Sequence, residues 1–476
     1  MMQNKDLLKV LIFVENPTSF QHLLRSRILD EVAEKNIARP ILILQNQLVP
    51  GDIDQQKLDR FEHCYLDFSG IRPHDLFGRL VHKLSHSLLR DLFVLYAPDD
   101  TQAQDRKFKL RHSKSGWKVR MAYAYFLKML GVHWKHISRI GLSWGHYPQI
   151  ANLLDKHEPD LVIYFNFLLG RSDYLKEAKR RSIPLLLDIP NWDQASSKGP
   201  MTVIPDHIFV WSPSIKDQLV RIHEIPEDCV HYHGAVCFDY YFQNNNIMDR
   251  NTFCHKYGID PSHHIILYAY GQPSGIRACE PIAEELLKMI DDIYPDIKCH
   301  LLFRASPRVS FPKELVQRSR LSMQYPCGTR LEGVDWMPSP DEDYMRMSTI
   351  AHSSVVVNMF STMMLDSICM DKPVINLGYA CEEQGPNPQK MERFFTYTHI
   401  ASVISNPGTE IPRSREELKE SILKSIKHPT ATRQYRQKLG MLIIGKMDGK
   451  CYQRWIQSVS KILQSSYLTM SPKHNQ

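Results

Sequence analysis

The chain has 476 residues, 43% of them hydrophobic and 23% charged, with a formal net charge of +7. These proportions exclude a disordered chain, and the length exceeds one ordinary core, so two domains of roughly 200 residues each are expected. The modest positive balance suits anionic small ligands or a lipid surface, and it argues against nucleic acid as a partner.

The N-terminal residues run straight into a strand, without the charged leader, apolar core and cleavage site of a signal peptide. No stretch of about eighteen apolar residues occurs, so a cytoplasmic protein that spans no bilayer is expected. The ten cysteines are scattered and form no Cys-x-x-Cys, which reads as reduced thiols and not as a disulfide framework or zinc site.

Residues 10–14 form an apolar first strand, followed by Glu15, Asn16 and Pro17, a helical stretch with Leu23, Leu24, Ile28 and Val32, and a second strand over 41–44. This β-loop-α-β opening predicts a doubly wound parallel sheet. The loop at 16–20, just before His22, lies at a site-forming edge but has no glycine, so it is not a phosphate cradle. Residues 73–140 break the rhythm as a helical insertion. An amphipathic helix runs from Leu76 to Phe93, then a basic patch from Arg106 to Arg120, then an aromatic face with Tyr123, Tyr125, Phe126 and Trp134. Residues 106–140 suit contact with an anionic membrane surface, and equally a hairpin packed on its own domain with a solvated basic loop.

The α/β pattern returns over 161–165 and 183–187. The second of these strands opens onto Asp188, Asn191, Trp192, Asp193 and Lys198, a long polar loop of the kind that carries function. Asp193 is the first candidate for a general base, with Asp188 and His22 behind it; Asp193 also fits a carboxylate that caps its own loop. A strand at 208–211 and a helix capped by Ser212 complete a first domain over 1–242. The second domain, 243–440, begins with a strand at 264–270 and a turn containing Gly271 and Ser274, where glycine allows close approach to a ligand. A strand over 299–304 ends on Arg304, whose fork suits phosphate oxygens; a surface ion pair is the alternative. A terminal helical segment covers 441–468.

The most informative stretch is 355–378. A short buried strand of valines leads to Ser361 and Thr362 at a helix start, then Asp371, Lys372 and Pro373, and a second strand. Thr362 and Asp366 share one helix face, a hydroxyl at the anion-attracting end and a carboxylate one turn on, as a nucleoside diphosphate and its ribose would require. An ordinary capped helix packed by Met364, Leu365 and Ile368 is the other reading.

The order of motifs from about residue 161 onward resembles bacterial GT-B glycosyltransferases of surface-polysaccharide synthesis, a group similar to the CDP-glycerol glycerophosphotransferases. The resemblance rests on Asn-Trp-Asp-x-x-Ser-Ser-Lys-Gly at 191–199, Pro-Asp-His-Ile-Phe-Val-Trp at 205–211, Gly-Ala-x-x-Phe-Asp at 234–239, Ser-Thr-Met-Met-Leu-Asp at 361–366, Asp-Lys-Pro-Val-Ile at 371–375, Tyr-Thr-His at 397–399 and Asp-Gly-Lys at 448–450. It implies two Rossmann-like domains facing a cleft, and transfer of a sugar from a nucleotide-sugar donor to a glycan or lipid-linked acceptor. No cofactor and no metal are expected, and the chain would work in the cytoplasm or on the cytoplasmic membrane face. Ser361, Thr362, Asp366, Arg304, Gly271 and Ser274 would bind donor, and Asn191, Trp192 and Lys198 would line the acceptor side. Three departures stand out: Asp366 replaces a glutamate, Ser306 a histidine, and Asn191 a serine. The alternatives are a glycerophosphotransferase, in which His207 or His399 would matter, a sugar-nucleotide 2-epimerase, and a non-catalytic scaffold.

Overall fold

The computed structural model describes residues 7–470 except 49–50, 102, 105–115, 166–171, 244–245, 271–278, 308–317, 332–333 and 380–393. The chain divides into two compact units. The first is Met1–Asp239, Tyr397–His399 and Lys450–Gln476; the second is Tyr240–Thr396 and Ile400–Gly449.

In the first unit, β1 (Lys9–Val14), β2 (Arg39–Gln45), β3 (Glu62–Leu66), β4 (Leu161–Phe165), β5 (Leu185–Asp188), β6 (His207–Val210) and β7 (Val230–Tyr232) form one sheet. Its order is β3-β2-β1-β4-β5-β6-β7, and every pairing is parallel. The central strands are apolar at nearly every position because helices cover both faces. At the edge, β3 leaves Glu62 and Tyr65 exposed, and its mixed composition gave no strand signal in the sequence.

The second unit holds β8 (His264–Tyr270), β9 (Cys299–Ala305), β10 (Leu321–Gln324) and an antiparallel hairpin of β11 (Gly328–Leu331) and β12 (Val334–Pro338). With β13 (Ser353–Asn358) and β14 (Val374–Asn376) the five-stranded parallel order is β10-β9-β8-β13-β14. Both sheets are Rossmann-like, and each reverses its winding beside its first strand, at β1/β4 and β8/β13. In open α/β sheets that reversal leaves a crevice at the carboxyl ends of the strands, where ligands bind.

The insertion consists of helices Leu76–Tyr96, Gly116–Met129 and Trp134–Ser143. Leu89, Leu92 and Phe93 pack with Ala124, Trp134 and Ile222, so this part joins the core of its own unit.

Residues 441–468, expected as a segment of their own, divide between the units instead. Helix Cys451–Met470 belongs with the first unit, and a cap from a distance explains why. The Asp239 carboxylate accepts from the backbone N–H groups of Cys451 at 3.1 Å and Tyr452 at 2.8 Å, satisfying two orphan donors of the helix start. Burial raises the Asp239 carboxyl above its ordinary range despite those two bonds.

Candidate functional site

In the second unit the stretch from β13 to β14 is built around two buried asparagines. Asn358 and Asn376 end these strands and are paired in register. Asn358 Oδ1 accepts from the Ser361 N–H at 2.9 Å and the Ser361 hydroxyl at 3.3 Å. Asn376 Oδ1 accepts from the Phe360 N–H at 3.2 Å, and its amide donates to Thr409 Oγ1 at 3.0 Å. These bonds hold Phe360 at φ 51°, a left-handed conformation uncommon for an aromatic residue. The turn delivers helix Thr362–Cys369 at the β8/β13 reversal, with Ser361 half-buried and Thr362 exposed at its start. First-turn N–H groups project from a helix start and favour an anion there. The two asparagines carry no motif of their own; the only clue in sequence is that each closes a run of buried apolar residues.

Asp366 takes a different position from the one expected. It is 4% exposed, accepts from the Tyr241 hydroxyl at 2.6 Å and lies 3.4 Å from Arg346 Nε. Arg346 in turn donates to the Tyr240 hydroxyl at 2.7 Å and the Asp343 carboxylate at 2.7 Å. Burial raises the Asp366 carboxyl, and Arg346 and Tyr241 oppose it only in part. Sharing a helix face with Thr362 therefore does not bring this carboxylate to the surface.

Arg304 is likewise internal, at 4% exposure. Its guanidinium donates to Gln324 Oε1 at 2.6 Å and pairs with the Glu342 carboxylate, which also accepts from the Cys327 N–H at 2.7 Å. Both terminal nitrogens are engaged inside the unit, so the expected direct grip on phosphate is replaced by an interior ion pair. Gly271 and Ser274 lie outside the described residues.

In the first unit two of the nominated carboxylates lie at the end of β5 and in the loop that follows it. Asp188 is fully buried; its Oδ2 accepts from Trp455 Nε1 at 2.6 Å and lies 3.3 Å from His22 Nε2. Burial alone would raise this carboxyl, but His22, His233 and the Trp455 N–H together hold it below the ordinary range. His22 is 2% exposed against the Phe165 ring, and His233 is 1% exposed and pushed down to about 4 by burial. This cluster is sealed beneath the terminal helix, and neither Asp188 nor His22 reaches a surface where a substrate could meet it.

Asp193 is open to solvent. Its side chain is 24% exposed, Oδ2 accepts from the Ser197 hydroxyl at 3.0 Å, and Lys198 Nζ stands 3.7 Å away. Its Oδ1 is buried and has no hydrogen-bond partner. Asn191 caps the turn by accepting from the Trp192 N–H at 2.9 Å, and the buried Trp192 ring meets His399 edge to face at 5.2 Å. His399 Nδ1 lies 3.3 Å from Ser196 Oγ. Burial pushes the His399 imidazole down to about 4, with Asp193 opposing the shift. The structure thus brings Asn191, Trp192, Asp193 and Lys198 together with a neutral imidazole from far along the chain. His207, the other histidine considered, sits 3.4 Å from His231 at the β6/β7 edge.

Among the described residues one group of potential metal ligands lies close together: His82, His86 and Asp173, with ligand atoms within 4.8 Å. Asp173 Oδ2 lies 2.8 Å from His82 Nε2, 2.5 Å from His86 Nε2 and 3.6 Å from Lys176 Nζ. Against its burial, His82 and His86, with Lys176 behind them, hold this carboxyl well below its ordinary range.

No family model matches the chain, and no curated protein matches it. Solved structures do. The UDP-GlcNAc 2-epimerase from Neisseria meningitidis bound to UDP-GlcNAc matches with a TM-score of 0.55 at 13% identity, over 95% of this chain and 100% of that one. The chain has a GT-B-like fold. The UDP-GlcNAc 2-epimerase from Methanocaldococcus jannaschii is similar at a TM-score of 0.51 and 11% identity, over 95% of this chain and all of that one, 100%. CalG4, the calicheamicin glycosyltransferase, covers 98% of this chain and 100% of its own at 10% identity, with a TM-score of 0.48.

Proposed function

We propose that the chain is a metal-independent GT-B glycosyltransferase, moving a sugar from a nucleoside-diphosphate donor to an acceptor hydroxyl of a surface glycan or lipid-linked carrier. One observation carries the donor half: the asparagine-braced turn presents Ser361, Thr362 and a helix start at the β8/β13 reversal. There the hydroxyls and first-turn N–H groups would hold the diphosphate, and charge developing on the leaving group would be stabilised by donors already in place, each worth roughly 3 kcal/mol. Arg304 would act at a distance, fixing β9 to β10 through Gln324 and to the helix Asp341–His352 through Glu342.

For the acceptor half, Asp193 is the nominated carboxylate whose side chain is partly open to solvent, at 24% exposure, with Oδ2 held by Ser197 and Oδ1 buried. It would take the acceptor proton, and the buried imidazole of His399 would stay neutral beside it. Asn191, Trp192 and Lys198 would shape the acceptor side.

Sugar-nucleotide 2-epimerisation is a second reading, favoured by the two UDP-GlcNAc 2-epimerase structures that share the fold. Incubation with UDP-, GDP-, dTDP-, CMP- and CDP-linked sugars and with CDP-glycerol separates the cases. One nucleotide class should raise the unfolding temperature, since a ligand at a hundred times its Kd stabilises by about 2.7 kcal/mol. A transferase releases nucleotide only when an acceptor is supplied; an epimerase interconverts the C2 configuration with no acceptor. Stabilisation by none of these compounds overturns both readings.

A further inference from the structure

Large apolar side chains that remain exposed are concentrated in one part of the molecule. Of the 20 among the described residues, 12 fall between Leu76 and Trp144. Helix Leu76–Tyr96 shows the pattern most plainly. Its second half is buried through Leu89, Leu92 and Phe93, whereas Leu76, Phe77, Leu80 and Leu84 in its first half are 84%, 57%, 54% and 61% exposed. Their spacing places them on one side of the helix. The Phe77 ring meets that of Trp144, itself 47% exposed, at 5.2 Å.

Helix Gly116–Met129 repeats the arrangement. Met121 and Ala124 face the core, and Val119, Tyr123, Phe126 and Met129 are 69%, 56%, 52% and 80% exposed, with Leu130 just beyond at 63%. An apolar face of this extent on two neighbouring helices exceeds what scattered surface residues account for.

The charges on these helices select the partner. Arg79, Lys83, Arg90, Lys118, Arg120, Lys128, Lys135 and Arg139 lie on the three helices of the insertion, against the single acid Asp91. Asp91 is buried and already bonded to Arg120, and Lys128 donates to the Leu95 carbonyl at 2.7 Å. Arg79, Lys83, Arg90, Lys118 and Arg139 remain exposed. Two copies of such a face would set cation against cation. Nucleic acid would leave the aliphatic side chains in water. Apolar side chains with tyrosine and tryptophan among them, bordered by lysine and arginine, match the boundary between acyl chains and anionic headgroups.

We propose that this face, the exposed sides of residues 76–84 and 119–130, docks on an anionic lipid bilayer. The sequence alone placed the contact at 106–140; residues 105–115 lie outside the description, and half of the described face precedes them. The proposal is independent of the catalytic reading, because it requires no nucleotide and no turnover.

Vesicle flotation tests it with phosphatidylcholine vesicles and with vesicles in which phosphatidylglycerol is added. The full chain should float with the anionic vesicles, less so as salt shortens the Debye length. Replacing Leu80, Leu84, Phe126 and Met129 together by serine should reduce that binding at least tenfold with an unchanged unfolding temperature, because all four side chains already stand in water. Arg79→Glu with Lys83→Glu should remove the preference for anionic vesicles. Absence of binding, equal binding to neutral vesicles, or undiminished binding by the serine variant would overturn the proposal. So would light scattering that shows a dimer without vesicles and a monomer for the serine variant, since a second copy would then cover the face.

Discussion

Asp188 and Asp193 lie on one stretch of chain and were nominated for the same role, yet the fold puts them to opposite uses. Asp188, the last residue of β5, is fully enclosed and bonded to Trp455. Asp193 stands where the chain has left the sheet, its side chain partly in solvent and its unpaired Oδ1 buried. Residue type and position along the chain did not separate them; what separates them is whether a later segment, the helix Cys451–Met470, covers the carboxylate. A buried charge held by partners stabilises architecture, and one partly open to solvent is available for chemistry.

Breaking each carboxylate in turn tests that contrast. The largest effect is expected from Asp193→Asn, which should lower turnover by about 10²–10⁴-fold, the span general-base catalysis supplies, and leave nucleotide affinity and unfolding temperature nearly unchanged. Steady-state kinetics and thermal unfolding on one preparation check this, and unchanged turnover would remove Asp193 from the role. Asp188→Ala should do the reverse. Deleting one partner of a buried charge cluster costs about 3–5 kcal/mol, read as a lower denaturant midpoint, with any loss of activity following from loss of folded protein. A variant as stable as the parent would show that the cluster contributes nothing to the fold.

The pH dependence of stability sharpens the comparison. His399 and His233 titrate near 4 in the folded chain, depressed by burial from an ordinary 6.5. Between those values the unfolded chain binds more protons, so stability should rise as pH increases from about 4 to 6.5. Asp188 has the same sign at lower pH: its folded carboxyl is depressed, so its contribution is present above the ordinary carboxylate range and lost as pH falls below it. Asp366 has the opposite sign. Its folded carboxyl is raised, so its contribution is full in acid and declines as pH rises above the ordinary carboxylate range. Denaturant titrations across pH for Asp188→Asn and Asp366→Asn should therefore flatten opposite sides of the profile, and the same change in both would contradict the assignment.

Most of the fold was legible because the inner strands of both sheets are uniformly apolar and alternate with helical periods, as doubly wound sheets require. The edge strand β3 and the hairpin β11/β12 were not, because half-exposed strands have mixed composition. The Asp193 loop was legible as a long polar excursion after a buried strand. The commitments of Arg304 to Glu342, of Asp366 to Tyr241 and of Asp188 to Trp455 were not, since each joins residues far apart in sequence and periodicity carries no information about such partners. The amphipathic helix Leu76–Tyr96 shows the same limit in one element, since nothing in its spacing distinguishes the covered half from the open one.

The turn between β13 and helix Thr362–Cys369 is proposed to receive a nucleoside diphosphate. Calorimetric titration of UDP, GDP, dTDP and CDP into the parent and into Thr362→Glu tests it most directly. Thr362 is exposed at the first helical position, where a glutamate is favourable to the helix but repels an incoming diphosphate. One nucleotide should bind the parent, and the variant should fold normally and bind it at least tenfold more weakly. Undiminished binding by the variant would place the nucleotide elsewhere and contradict the account.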